Sequence, residues 1–188
     1  MNAIKLLGIS GSLRSGSFST AILETLAENA PVGVDLTLHS LADVPLYNQD
    51  LDTDEPLPAV AALRNAIAAV DGVVIATPEF NYGLPGVLKN ALDWASRPYG
   101  AAALIRKPVV TMSSSYAFTG GVRAQAQLNE TLLAIGTSLV IRPQVVIGEV
   151  HTKVQDGRLT DKASLDFALA AVVDLARSIE ATREPAFA

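Results

Sequence analysis

Residues 4–19, IKLLGISGSLRSGSFS, combine an apolar run of strand length with a turn of glycines and serines and the start of a helix. Similar apolar runs recur along the chain, and each is separated from the next by a segment long enough for a helix. Alternating strands and helices indicate parallel neighbours joined by right-handed crossovers. The sequence therefore predicts an α/β fold with a doubly wound, five-stranded parallel sheet and helices on both faces.

Apolar periodicity predicts five strands and five helices. We expect strands at residues 4–9, 32–38, 72–76, 108–112 and 139–147. We expect helices at residues 19–28, 59–70, 85–95, 122–135 and 163–180. No repeat, linker or low-complexity tract divides the chain, so residues 1–188 are expected to form a single domain.

Composition excludes several classes of function. The net charge of −5, the lack of a basic stripe and an aromatic content of 5% argue against a nucleic-acid partner. The absence of cysteine excludes disulfides, thiolate metal sites and cysteine nucleophiles, so redox chemistry would require a bound cofactor. No segment approaches the roughly 20 apolar residues of a membrane span, and the amino terminus lacks a signal-peptide pattern. We therefore expect a cytoplasmic protein with no membrane partner.

Three loops follow the carboxyl ends of predicted strands, the edge at which open α/β sheets bind ligands. They span residues 10–19, 77–85 and 113–121. In the first loop, exposed amides at a helix start, hydroxyl donors and Arg14 form a possible cradle for a phosphate. Serine and glycine are also ordinary turn and N-cap residues, so the loop alone leaves both interpretations open.

The first loop differs from the common nucleotide and hydrolase motifs. Gly11 and Gly16 have the spacing of a Walker loop, but Ser17-Phe18 stands where the lysine and hydroxyl residue are needed. The run Gly8-Ile9-Ser10-Gly11-Ser12 lacks the second glycine of a dinucleotide motif and the last glycine of a hydrolase elbow. A monophosphate held by hydroxyl groups fits the loop better. We expect His39 and His151 to be surface or structural residues.

The second loop and the helix after it read TPEFNYGLPGVLKNALDW, residues 77–94. Together with Gly11-Ser12-Leu13-Arg14 and Ser17-Phe18-Ser19, this run resembles the NADPH-dependent FMN reductase family, which includes flavodoxin-like quinone, chromate and azo reductases. The resemblance covers nearly the whole chain. It implies a flavodoxin-like fold, bound FMN, and NADPH or NADH as co-substrate.

The resemblance also implies the FMN-binding residues. Ser12, Arg14, Ser17 and Ser19 would hold the phosphate, and Phe18 of the same run would also bind the cofactor. Glu79, Phe80, Asn81 and Tyr82 would border the isoalloxazine, and Ser115 would complete the cradle. The chain departs from the family pattern at Ser19, where asparagine is expected, at Phe80, where tyrosine is usual, and at Gly83, where serine is frequent. Loss of the tyrosine hydroxyl at position 80 leaves backbone amides to contact the ring, so flavin binding should survive.

The implied reaction is a ping-pong transfer of electrons from NADPH or NADH through FMN to a small soluble acceptor, which is a quinone, chromate, an azo compound or free flavin. FMN carries this chemistry, so we assign no catalytic residue and no metal ligand. A flavodoxin-type electron carrier and a flavin-free interaction domain are the alternatives. The resemblance further implies a homodimer or homotetramer, with residues 94–99 as candidates for its interface.

Overall fold

A six-stranded parallel sheet forms the centre of the computed structural model, which describes residues 3–183. Its strands are β1 (Ile4–Ser10), β2 (Val34–His39), β3 (Gly72–Pro78), β4 (Pro108–Ser114), β5 (Ser138–Leu139) and β6 (Val145–Ile147). Five α-helices accompany them: α1 (Phe18–Glu28), α2 (Pro58–Ala68), α3 (Gly86–Ala95), α4 (Val122–Ile135) and α5 (Lys162–Arg183). The strand order is β2-β1-β3-β4-β5, with β6 also paired to β4. The predicted doubly wound, flavodoxin-like architecture is confirmed.

Each face of the sheet has its own apolar core. Side chains alternate along β3, so that Val73 and Ile75 pack against α2, α3 and α4, whereas Val74 and Ala76 pack against α1 and α5. All four residues are at most 1% exposed, as expected for a strand covered on both faces.

The topology brings the carboxyl ends of β1, β3 and β4 together. Ser10 pairs with Ala76 across β1 and β3, and Thr77 pairs with Ser113 across β3 and β4. The strand order reverses beside β1, and this is where open α/β sheets form their ligand crevice. The three predicted loops therefore meet at one edge.

The predicted strand at residues 139–147 is wrong in one respect, because two short strands, β5 and β6, replace it. The Val140 amide still donates to the Val109 carbonyl of β4 at 3.0 Å, and residues 141–144 leave the sheet. Pro143 lacks the backbone donor that a continuous ladder needs. The Arg142 side chain packs towards α5, with its Nε 3.6 Å from Asp174 Oδ2 and its guanidinium 4.9 Å from the Phe167 ring centroid.

A small hairpin was also not predicted. Its strands are β7 (Val154–Gln155) and β8 (Arg158–Leu159), and Asp156 and Gly157 between them have φ values of 48° and 73°. An Asp-Gly pair favours this tight turn and is the signal in the sequence that would have predicted it. The hairpin packs on α1, where the Leu159 amide donates to Thr25 Oγ1 at 3.0 Å.

The other predicted helices and strands are present, with ends shifted by no more than three residues. Two 3-10 turns, Gln49–Leu51 and Val150–Thr152, complete the structure. Among residues 3–183, no helix combines the length and the apolar character needed to cross a membrane. Residues 1–2 and 184–188 of the predicted domain lie outside the described residues.

The buried guanidinium of Arg142 generates a prediction about stability. Its side chain is 8% exposed, and burial lowers its pKa while Asp174 opposes that shift. We expect Asp174→Asn to lower the free energy of unfolding by about 1–2 kcal/mol, because the buried cation loses its carboxylate. Arg142→Met, which retains apolar contact with Phe167, should change it by less than about 1 kcal/mol. Urea unfolding of both variants checks this, and a larger loss in Arg142→Met than in Asp174→Asn would contradict it.

Candidate cofactor site

A cleft of about 440 Å³ opens between the three loops at the carboxyl edge of the sheet. This volume lies within the range of roughly 300–1,000 Å³ that is typical of small-molecule sites. Of the predicted site residues, all except Asn81 and Tyr82 line it. The lining residues are Ser12, Arg14, Ser17, Phe18, Ser19, Pro78, Glu79, Phe80, Ser114, Ser115 and Tyr116.

The start of α1 forms one wall of the cleft. Ser17 is the N-cap residue, and its Oγ accepts a hydrogen bond from the Thr20 amide at 3.2 Å. The amides of Phe18 and Ser19 have no acceptor within residues 3–183. These open donors, at the positive end of the helix dipole, make the wall suitable for an anion.

Ser19 adds a buried hydroxyl to this wall. The residue is 1% exposed, and its Oγ has no hydrogen-bond partner in the described part of the chain. A buried polar atom without a partner costs free energy, which a ligand oxygen beside it would recover. Although the family pattern expects asparagine here, the serine retains a donor in the cleft.

Arg14 supplies positive charge at the same wall. Its side chain is exposed, and its guanidinium lies 5.2 Å from the centroid of the Phe18 ring. No carboxylate of residues 3–183 forms an ion pair with it. The charge is therefore available to a ligand.

Gly11 fixes the first loop against the second. Its amide donates to the Ala76 carbonyl at 2.8 Å. A Cβ at this position would lie 2.9 Å from Thr77 Oγ1 and 3.1 Å from Leu88 Cδ2, so only glycine allows this close approach. The position of the wall at the start of α1 thus depends on the backbone packing beneath it.

The second loop ends in a two-residue turn at Asn81 and Tyr82. Both residues have positive φ, 51° and 64°, and the flanking Phe80 and Gly83 exchange backbone hydrogen bonds of 3.1 and 3.0 Å. The Arg123 guanidinium lies 4.3 Å from the centroid of the Tyr82 ring and holds this turn near α4. The turn consumes the Phe80 amide, so that amide is not among the donors expected for a flavin ring.

Glu79 has a structural role at the start of α4. Its Oε2 accepts hydrogen bonds from the amides of Arg123 and Ala124, at 3.0 and 3.2 Å. The N-cap position itself is Gly121, which has no side chain to serve as a cap. The carboxylate therefore closes the N-terminus of α4 and joins the second loop to the third.

The third loop is interlocked with residues 147–150. The Ser115 amide donates to the Ile147 carbonyl at 3.1 Å, and the Val150 amide donates to the Ser115 carbonyl at 3.0 Å. Ser113 is buried, and its hydroxyl donates to the Gly120 carbonyl at 2.8 Å. Ser113 thus stabilises the loop, whereas Ser114 and Ser115 reach the cleft.

Tyr116 is a site residue that the sequence reasoning did not select, although it directly follows Ser115. It lines the cleft, meets the Phe18 ring edge-on at 5.4 Å and stacks on His151 at 4.9 Å with an interplanar angle of 19°. His151 is exposed, as expected, yet this stack places it at the border of the cleft.

Helix α3 contributes no lining residue. Its Asn90 and Trp94 side chains both donate to the Pro45 carbonyl at 2.8 Å, and Lys89 pairs with Asp93 at 2.7 Å. The two contacts to Pro45 hold the segment after β2 on α3, whereas the pair of Lys89 and Asp93 lies within the helix.

The interlock of the third loop generates the next prediction. An added Cβ at Gly148 would lie 2.2 Å from the Phe118 carbonyl oxygen, so Gly148→Ala must displace the loop backbone. We expect it to lower the free energy of unfolding by about 1–3 kcal/mol, measured by chemical denaturation. Gly86→Ala is the matched control, because nothing lies within 4 Å of its added Cβ. Equal stability of the two variants would show that the third loop is not held in this way.

Comparison with known proteins agrees with this geometry. Residues 4–152 match the model of the family described as NADPH-dependent FMN reductase. The chain is 40% identical over 167 residues to a quinone reductase of Escherichia coli (strain K12), covering 87% of this chain and 88% of that protein. It is 41% identical over 159 residues to an NAD(P)H-dependent FMN reductase of Pseudomonas aeruginosa, covering 84% and 85%.

A solved structure shows the same likeness. The flavoenzyme NAD(P)H:(acceptor) oxidoreductase FerB of Paracoccus denitrificans superimposes with a TM-score of 0.84 at 32% identity, covering 95% of this chain and 98% of that one. The wall at α1, the three-loop cleft and these matches together show that the chain belongs to the NADPH-dependent FMN reductase family.

Proposed function

We propose that this chain is an FMN-dependent NAD(P)H oxidoreductase that reduces a small acceptor, with quinones as the leading class. The observation that carries the proposal is the wall at the start of α1. Two amides, a buried hydroxyl and a guanidinium that have no partner among residues 3–183 line one cleft there. The quinone reductase of Escherichia coli and the FMN reductase of Pseudomonas aeruginosa support the choice of reaction. They also favour an enzyme over a flavodoxin-type carrier.

In this proposal the α1 wall holds the FMN phosphate. The amides of Phe18 and Ser19 donate to its oxygens, and the hydroxyls of Ser12, Ser17 and Ser19 add side-chain donors. Ser17 is free to donate, because its Oγ only accepts in its hydrogen bond to Thr20. Arg14 offsets part of the charge of the phosphate. The residues present fit a phosphate monoester.

The remaining lining fits a planar ring. Phe80 of the second loop is 55% exposed and Tyr116 of the third loop is 61% exposed, so each offers an aromatic wall. Ser115 lies between Ser114 and Tyr116 and adds a hydroxyl group to the lining. Glu79 lines the cleft but holds α4 with its carboxylate. Asn81 and Tyr82 lie outside the lining of the cleft, and their backbone amides have no acceptor within residues 3–183. We therefore assign these amides as possible hydrogen-bond donors to the cofactor at the mouth of the cleft.

Bound FMN would supply the redox chemistry, taking two electrons from NADPH or NADH and passing them to a quinone, chromate, an azo compound or free flavin in a ping-pong sequence. The residues of the chain bind and orient the reactants and exclude water with aromatic walls. Glu79, the one carboxylate among the residues that line the cleft, accepts hydrogen bonds from the α4 amides, so no side chain is assigned as an acid or a base. Among the described residues, no group of three or more possible metal ligands was found.

We further propose that residues 1–188 act as one domain and assemble as a homodimer or homotetramer in the cytoplasm, where reduced nicotinamides are supplied. Support for assembly comes from a groove of about 500 Å³ between α3, α4 and the segment after α3. Tyr99, on its border, is 90% exposed. Trp94 is completely buried and is not available to contact a second subunit. The remaining interface candidates are the residues that follow α3.

The proposal predicts a yellow protein whose flavin bands bleach when NADPH or NADH is added without oxygen and return when a quinone is added. Arg14→Gln and Ser19→Ala should each weaken FMN binding about 10- to 100-fold, because each removes a donor to a dianion. Arg106→Gln is the control, since Arg106 is exposed just before β4, at the opposite edge of the sheet. Anaerobic spectra measure the bleaching and return of the flavin bands, and FMN titrations measure the affinities of the variants and of the control.

Two results would contradict the proposal. Bands that persist with both nicotinamides but bleach with dithionite would indicate an electron carrier. FMN affinity unchanged in both Arg14→Gln and Ser19→Ala would place the phosphate elsewhere.

A further inference from the structure

A second cleft lies on the other side of the first loop. It has a volume of about 370 Å³ and is bounded by the first loop, by α1 and by the segment at the end of β2. Ser12 and Arg14 line both clefts, so the first loop forms a ridge between them. Ile9 pairs with His39 across β1 and β2, and the second cleft therefore opens at the same carboxyl edge as the first.

The second cleft has the surface chemistry of a nucleoside site. Leu13 and Leu38, which are 55% and 38% exposed, give it apolar walls. Ser15 and Ser40 add hydroxyl groups, and burial lowers the pKa of His39, which favours its neutral imidazole. A neutral imidazole offers one donor and one acceptor, as the edges of a base or a ribose require.

The charges limit the class of ligand. Arg14 stands on the ridge, and its five N–H donors allow contact with phosphate oxygens on both sides. Glu24, also on the wall, already pairs with Arg158 at 3.3 Å. Arg14 is the one lysine or arginine among the residues that line the second cleft, and it also lines the first cleft. A nucleoside joined to a phosphate at this shared side chain therefore fits better than a free polyanion.

We propose that the second cleft binds the adenosine end of the reduced nicotinamide dinucleotide, with Arg14 facing its pyrophosphate. This rests on the proposed function. A dinucleotide consists of two nucleosides joined by two phosphates, and the structure presents two clefts separated by a ridge with phosphate-binding groups. The ridge then serves both nucleotides, FMN on one side and the electron donor on the other.

The test uses the FMN-loaded protein and AMP as a probe of the second cleft. Calorimetry should show saturable AMP binding, and Ser40→Trp, which fills the cleft from an exposed position, should weaken it about tenfold or more. Leu38→Ser, which removes an apolar wall, should weaken it by about the same factor and serves if the tryptophan variant does not fold. Ser138→Trp, exposed on the far edge strand β5, is the matched control.

Steady-state kinetics gives an independent readout. Ser40→Trp should raise the KM for NADH about tenfold or more. It should leave the KM for reduced nicotinamide mononucleotide, which lacks adenosine, within about twofold, because the first cleft is untouched.

The failure of this proposal is distinguishable from failure of the proposed function. If the wild type does not take up FMN in a direct titration, the proposed function fails. If FMN binds and NADH reduces it, but AMP gives no saturable heat, the second cleft is not an adenosine site. An equal rise in the KM for NADH and in the KM for reduced nicotinamide mononucleotide in Ser40→Trp would also contradict the assignment of the second cleft to adenosine.

Discussion

Two backbone amides and one buried hydroxyl at the start of α1 lack acceptors among residues 3–183, and the cleft is arranged around them. A helix that follows a parallel strand points its N-terminus to the carboxyl edge of the sheet, so β1 and α1 present these donors where the strand order reverses. Gly11 permits the close packing that fixes their position. An anionic group is the ligand that such a set of donors favours.

The N-terminus of α4 lies at the same edge of the sheet but differs from the N-terminus of α1. Helix α4 also begins beside the cleft, but Glu79 accepts its first free amides with a carboxylate that is 7% exposed. That terminus is thus neutralised from within the chain, whereas the terminus of α1 remains open. The Glu79 contact and the interlock of the third loop with residues 147–150 also hold the other two loops in place. A cleft with rigid walls binds its ligand at a lower entropic cost.

Sequence patterns predicted those parts of the fold that depend on residues close to one another in the chain. Apolar periodicity gave the bounds of α4 without error, and the serine- and glycine-rich turn marked the α1 wall. The break between β5 and β6 was not predicted, although Arg142-Pro143-Gln144 interrupts the apolar run and Pro143 cannot donate to a ladder. The packing of Arg142 on α5, which is distant in sequence, has no local signal. The contact of Glu79 with α4 spans 44 residues and has no local signature.

The residues of the cleft also divide into those that local sequence predicts and those that depend on contacts distant in sequence. Ser12 to Ser19 follow one strand and lie together because they are close in sequence. Asn81 and Tyr82 follow the right strand, but they form a turn with positive φ and lie outside the lining, which only the folded backbone reveals. Tyr116 enters the cleft through its stack with His151, a residue that nothing in the sequence associates with it. The identity of the ligand came from the family resemblance and not from periodicity.

The most direct measurement compares FMN with riboflavin, which has the same ring and no phosphate. If the start of α1 holds a phosphate dianion, calorimetry on the apoprotein will show FMN binding at least about 100-fold more tightly than riboflavin, since charged hydrogen bonds contribute about 1.5–3 kcal/mol each. Equal affinity for the two ligands would show that the open donors of α1 do not bind the cofactor phosphate.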